Sequence, residues 1–312
     1  MDPFRLCPAY FRPRRPLPGH RERNQPYIQG AYGDFAMGLI PGPGFYIRND
    51  TSYLSQTLDQ SLQGNKVYSK INASTMLDIV KLTYIFDVPA IGGFVGFGAG
   101  VPFIINTNVG GSLSIFDPRF RNGGFSASAD SGRGGLSDMY LMPLIMGWNF
   151  GECHLALSPN VILPTGYYSK TALTNLGMNY ASFDGNLAFT WLSKMGFELS
   201  FNAGYMINAE NQTTKYLSGN QFHIDATAAM HLNERFALGV VGYGVAQATP
   251  DSGSGATLGS YLSSGVGLGP ATMYTTSICG RDVTFIAKWL HDLSGENRLT
   301  GNAVNLSIAT KF

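Results

Sequence analysis

From Phe197 onward the side chains fall into two sets by parity: Phe197, Leu199, Phe201, Ala203, Tyr205 and Ile207 on one, Glu198, Ser200, Asn202, Gly204, Met206 and Asn208 on the other. Successive side chains of a strand point to opposite faces, so this period of two gives an extended segment one apolar and one polar face. A helix, with its period of 3.6, would mix the two sets. No other feature of the chain restricts its fold as much.

The pattern recurs. Phe183, Leu187, Phe189 and Trp191 alternate with Ser182, Asp184, Asn186, Ala188 and Thr190, and a short turn at 193–195 joins this segment to the next as a hairpin. Phe222, Ile224, Ala226, Ala228 and Met230 oppose Gln221, His223, Asp225, Thr227 and His231; Val283, Phe285, Ala287 and Trp289 oppose Asp282, Thr284 and Lys288. At the end of the chain Val304, Leu306, Ile308, Thr310 and Phe312 oppose Ala303, Asn305, Ser307, Ala309 and Lys311. Further apolar-periodic segments at 44–56, 71–86, 94–104, 136–148, 153–163, 235–247 and 261–274 bring the total to about twelve strands, and an even number suits a closed bacterial barrel. Within 71–86 and 235–247 the apolar face changes parity, and a β-bulge is the expected cause.

Composition says which solvent the apolar faces meet. Only 13% of residues are charged, against about 25% in soluble domains, too few for an ordinary globular surface. One uncharged apolar run, 88–105, reaches the lower limit for a spanning helix. It contains Pro89, Pro102 and the glycines Gly92, Gly93, Gly96, Gly98 and Gly100, which are poor helix residues. The expected fold is therefore all-β: a closed antiparallel transmembrane barrel in the outer membrane of a Gram-negative bacterium, lipid outside and a wetter interior within. Closure has a physical cause, since an open sheet edge in hydrocarbon would leave a row of unpaired amides. Short connections at 87–93, 149–152, 193–195 and 233–234 read as periplasmic turns. Longer ones at 56–72, 106–135, 166–180 and 249–260 read as mobile extracellular loops. Tyr46, Tyr84, Trp148, Phe150, Trp191 and Trp289 lie near strand ends, as interfacial girdles require.

Ahead of the barrel, residues 1–26 are rich in Pro and Arg, lack an apolar signal-peptide core, and read as a disordered or mis-started tail. Residues 27–43 are rich in Gly and Pro and are expected to fold into the periplasmic mouth as a partial plug, leaving 44–312 as the barrel. Cys7, Cys153 and Cys279 are odd in number and widely spaced, so neither a disulfide framework nor a metal site is expected. Net charge is +1 with no basic stripe, which argues against nucleic acid as a partner. The runs Gly96-Phe97-Gly98-Ala99-Gly100 and Gly265-Val266-Gly267-Leu268-Gly269 lack the full spacing of nucleotide loops, and no cofactor is implied.

Several stretches carry a resemblance: Ile40-Pro41-Gly42-Pro43-Gly44-Phe45-Tyr46, Leu163-Pro164-Thr165-Gly166-Tyr167, Asn175-Leu176-Gly177-Met178-Asn179-Tyr180, Gly204-Tyr205-Met206-Ile207-Asn208, Asp251-Ser252-Gly253-Ser254-Gly255-Ala256, Gly265-Val266-Gly267-Leu268-Gly269-Pro270 and Glu296-Asn297-Arg298. In this order along nearly the whole chain after Tyr27 they resemble the family named for the meta-pathway of phenol degradation. The resemblance implies an outer-membrane channel, and its label points to small aromatic or hydrophobic solutes. The terminal strand closing on Phe312 resembles the C-terminal signal read by the barrel-assembly machinery, which with outer-membrane lipid completes the expected partners.

The inward parity places Arg48, Asp50, Asp184, Glu198, Asn202, His223, Asp225 and Lys288 in the lumen. They are candidates for selectivity, as charged rings are in pores, or for interior packing, with both signs pairing. About 8 strands leave a filled interior and roughly 16 to 18 an aqueous channel, so twelve predicts a narrow or gated pore. No reaction is expected. The alternatives are a structural or adhesin-like barrel without transport, an outer-membrane hydrolase using His154, His223, His231 or His291 with Ser200 or Ser158, and a soluble carrier. The hydrolase lacks a Gly-x-Ser-x-Gly elbow, and the carrier would need a polar exterior.

Overall fold

The structure, a computed structural model, describes residues 27–62, 67–115, 125–172, 174–256 and 260–312. The tail 1–26, with Cys7, lies outside them. Alternation in sequence becomes alternation in burial. In the strand Phe197–Asn208, Glu198, Ser200, Asn202 and Asn208 are buried, while Leu199, Phe201, Tyr205 and Ile207 are exposed.

The described β segments, in chain order, are β1 (Gly44–Leu62), β2 (Val67–Val88), β3 (Gly93–Ile115), β4 (Phe125–Leu136), β5 (Tyr140–Phe150), β6 (Cys153–Leu157), β7 (Asn160–Ile162), β8 (Ser182–Leu192), β9 (Phe197–Asn208), β10 (Gln221–Asn233), β11 (Phe236–Gln247), β12 (Ser264–Ile278), β13 (Arg281–Glu296) and β14 (Thr300–Lys311). A 3-10 turn, Pro89–Ile91, joins β2 to β3. No helix among the described residues is long and apolar enough to cross a membrane.

Two staves of the wall are interrupted. Segments β4 and β5 lie end to end along β3, and β6 and β7 both bridge β5 to β8. The fourteen segments thus make a closed antiparallel barrel of twelve staves. The seam joins first strand to last, from Tyr46 opposite Lys311 to Thr57 opposite Thr300. The outside carries Phe97, Phe103, Leu187, Phe222, Val240, Leu268, Trp289, Leu306 and Ile308, all exposed. An apolar band of that extent is costly in water and suited to lipid.

Two expectations need correction. The segments 56–72 and 106–135, read as long outer loops, are largely strand: β1 runs to Leu62, β2 starts at Val67, β3 runs to Ile115 and β4 starts at Phe125. At 19, 22 and 23 residues, β1, β2 and β3 far exceed the 9 to 11 that span a bilayer. Strands of that length outrun the hydrocarbon, and where no lipid lies beside a sheet nothing selects for an apolar parity.

The second correction concerns the bulges. Opposite 71–86 a register irregularity does occur, but the extra residue is Ile105 of β3, since Met76 pairs with Asn106 and Leu77 with Ile104. From Ile71 to Phe86 strand β2 keeps its parity, with Ile71, Leu77, Ile79 and Ile85 buried and Met76, Val80, Leu82, Tyr84 and Phe86 exposed. Strand β11 pairs with β12 without any shift, and its irregularity against β10 puts the extra residue at Leu232 of β10, since His231 pairs with Ala237 and Asn233 with Phe236; Val241, Tyr243 and Val245 are buried while Leu238 and Val240 face out. These strands are apolar on both faces because the interior is not all aqueous. Tyr27 and Phe35, ahead of β1, join Ala229, Ala237, Val241, Tyr243, Val245, Ala271, Ile286, Leu290 and Ala303 in one buried cluster.

Candidate functional site

The segment 27–40 lies inside the barrel and is held between two walls of different chemistry. Its composition suits the place. At Gly38 a Cβ would come within 2.6 Å of the His154 carbonyl oxygen and 2.7 Å of the Thr190 nitrogen. Only glycine lets the segment approach closely enough for its amide to donate to Thr190 Oγ1 at 2.9 Å.

On one side, β8, β9 and β10 present carboxylates. Asp184, Glu198 and Asp225 alternate inward and are fully buried, so each requires partners. Asp184 accepts from Tyr32 Oη at 2.6 Å and Asn186 Nδ2 at 2.8 Å, and its Oδ1 lies 3.0 Å from His223 Nε2. His223 belongs to β10 and Asp184 to β8. The imidazole crosses β9 at Gly204, where a Cβ would sit 2.2 Å from Nε2. Asn202 Nδ2 donates to Asn186 Oδ1 at 2.9 Å and so steadies the same group. Asp225 receives Tyr27 Oη at 2.9 Å. Glu198 receives the Ala36 amide and Ser200 Oγ, each at 2.6 Å, with His231 Nε2 at 2.6 Å from its other oxygen. Thr227 Oγ1 donates to the Asp34 carbonyl at 2.7 Å.

On the other side, β1, β2 and β13 present cations. Lys288 Nζ donates to the carbonyl of Gly30 at 3.0 Å and to that of Gly33. Arg48 pairs with Asp34 of the segment, donates through Nε to Asp50 at 2.7 Å and through Nη2 to Ser307 Oγ at 3.1 Å. Lys81 Nζ lies 2.9 Å from the second oxygen of Asp50. A cavity of ≈ 20 Å³ remains along this seam, enough for about one water molecule.

The eight residues that sequence assigned to the lumen, Arg48, Asp50, Asp184, Glu198, Asn202, His223, Asp225 and Lys288, all lie in the interior in two groups, one on each wall. Sequence reasoning missed Lys81, Asp34, Tyr27 and Tyr32. Lys81 shares the inward parity of Ile79 and could have been found from it; the others lie outside any strand, where parity carries no information. Ser200, a candidate nucleophile, donates its hydroxyl to Glu198 and sits 2.7 Å from Thr190 Oγ1. His154 Nδ1 lies 2.9 Å from Asn149 Oδ1. Among the described residues no group of His, Cys, Asp and Glu is placed to hold a metal ion. Phe312 is exposed, its amide donating to the Phe45 carbonyl at 2.8 Å and its ring under the Arg281 guanidinium at 4.3 Å.

Residues 59–308 match the family described as "Putative MetA-pathway of phenol degradation". No curated protein matches the chain. Among solved structures, the COG4313 outer membrane channel from Pseudomonas putida F1 superposes with a TM-score of 0.69 at 14% identity, covering 92% of this chain and 100% of its own. A Pseudomonas aeruginosa FadL homologue aligns at 8% identity over 86% of this chain and 89% of its own, with a TM-score of 0.39. The first likeness shows the outer-membrane barrel fold, and the second is too distant to add to it.

Proposed function

This chain belongs to the family named for the MetA-pathway of phenol degradation, and on that premise we propose that it is an outer-membrane channel for passive entry of small aromatic or hydrophobic molecules. The observation that carries this reading is the interior itself. A barrel needing only a filled core could use wall side chains; here the filling is a separate segment, 27–40, held by polar contacts along its length and by the packing of Tyr27 and Phe35. Such a segment can be withdrawn or rearranged without unfolding the wall, and it acts as the plug. Arg48, Asp50, Asp184, Glu198, Asn202, His223, Asp225 and Lys288 then grip the plug in the closed state and select solutes in the open one. Phe312 serves as the signal to the assembly machinery.

The tight fit of the plug also favours a second reading, a structural barrel that never opens. Single-channel recording in planar bilayers separates the two. Deleting 27–41 raises conductance at least severalfold over the full chain if the plug gates a channel. Equal, non-zero conductance in the deletion and the full chain rules out the plug, and absent conductance in both, with heat-modifiable folding intact, overturns the channel reading.

A further inference from the structure

The two tyrosines of the plug are phenols, and the wall treats them as such. Tyr27 and Tyr32 lay their rings against the His223 imidazole, with centroids 4.9 and 5.0 Å away and interplanar angles of 30° and 17°. Each hydroxyl donates to its own buried carboxylate, Tyr27 to Asp225 and Tyr32 to Asp184, and Asn160 Nδ2 donates back to the Tyr32 oxygen at 3.1 Å. Each wall position therefore offers a flat face for a ring and an acceptor for a phenolic hydroxyl. The tyrosines belong to the removable segment, whereas His223, Asp184, Asp225 and Asn160 belong to the wall.

We propose that the pocket around His223 is a binding site for neutral phenols, which the plug's own Tyr27 and Tyr32 occupy in the closed state. This rests on the channel reading and adds a specific solute class and site. When the plug leaves, Asp184 and Asp225 each lose one hydroxyl donor while keeping their wall neighbours Asn186 and His223, the imidazole loses both rings, and a buried acceptor short of a donor is costly. A solute that restores those contacts must bring both a ring and an O–H. Toluene supplies the ring alone and returns no donor to either carboxylate, while benzoate brings a negative charge against Asp184 and Asp225. Sites built to bond a hydroxyl reject analogues lacking it far more strongly than apolar pockets reject a missing methylene. A tethered competitor acts at millimolar effective concentration, so free phenol reaches the closed wild-type site at millimolar levels.

The experiment uses 4-methylphenol, the side chain of tyrosine as a free molecule, with toluene and benzoate as controls. In bilayer recordings of the full chain, millimolar 4-methylphenol raises open probability and the controls at equal concentration do not. In Y27F/Y32F, whose plug keeps its rings but loses both donors, the half-effective concentration falls about tenfold. Calorimetric titration of refolded Y27A/Y32A, its fold checked by heat-modifiable mobility, gives at least about tenfold preference for 4-methylphenol over toluene, and adding D184N/D225N abolishes that preference. Equal binding of the two solutes to Y27A/Y32A, or a half-effective concentration unmoved in Y27F/Y32F, overturns the proposal even if aromatic uptake is observed. A calorimetric preference in a protein that never conducts would instead overturn the channel reading and leave the site standing.

Discussion

The two walls that face the plug are built from the same kind of strand and carry opposite charge. On β8, β9 and β10 the ionic groups are carboxylates with histidines beside them, and they accept from plug hydroxyls and amides. On β1, β2 and β13 the cations Arg48, Lys81 and Lys288 outnumber the one carboxylate Asp50 that Arg48 and Lys81 share; Lys288 donates to plug carbonyls and Arg48 to Asp34. A peptide segment carries donors and acceptors along its whole length, so a lumen whose charged groups accept on one side and donate on the other, with Thr227 and Asp292 as exceptions, biases which edge of the segment turns which way. The asymmetry positions the plug more specifically than apolar packing does, because burial alone is non-directional.

The contrast makes the contributions of the walls separable. Lys288→Met, which keeps the length of the side chain and removes the donor, orphans two plug carbonyls. Hydrogen bonds to a charged group contribute about 1.5–3 kcal/mol, so the open-to-closed ratio in single-channel records rises about 10- to 100-fold; an unchanged ratio would mean that the cationic wall does not hold the plug. Gly204→Ala puts a methyl where the imidazole crosses β9. Overpacking of this kind costs about 1–3 kcal/mol, read as a lower urea midpoint in lipid vesicles, and it separates His223 from Asp184 while leaving the cationic wall intact. Thr227→Val, the mildest change, deletes one neutral hydrogen bond to the Asp34 carbonyl, worth about 1 kcal/mol. It nudges open probability upward by less than Lys288→Met does. If it matched the lysine variant, the accepting wall would be the principal grip.

The fold was legible where a strand has lipid on one side and polar groups on the other. From Phe197 to Asn208 or from Val304 to Phe312 parity alone assigns every side chain to its face. Legibility fails at both extremes of solvent. Around Thr107, Asn108 and Arg133 the strands are polar on both faces, with Thr107 buried against Thr75 and Asn108 exposed, and the segment reads as loop. Opposite the plug, at Val241, Tyr243 and Val245, it is apolar on both faces and reads as a slipped strand. The break between β4 and β5 has a local device, since buried Asp138 accepts the amides of Gly166 at 2.8 Å and Met178 at 2.7 Å, but nothing in spacing links residues that far apart. For the site, parity gave the inward residues and their signs. It could not sort them onto two walls, because that depends on which strands lie side by side once the sheet has curled.

The seam between β1 and β14 bears on how the molecule comes into being. The two strands that meet there are separated by almost the entire chain, so the enclosure is finished only when the last strand arrives, a contact of very high sequence separation and therefore slow to form. The segment ahead of β1 hangs from one lip of that seam. A segment able to leave the finished vessel can also re-enter it, so its place inside is set by what the two walls offer it and does not depend on whether the lips have already joined.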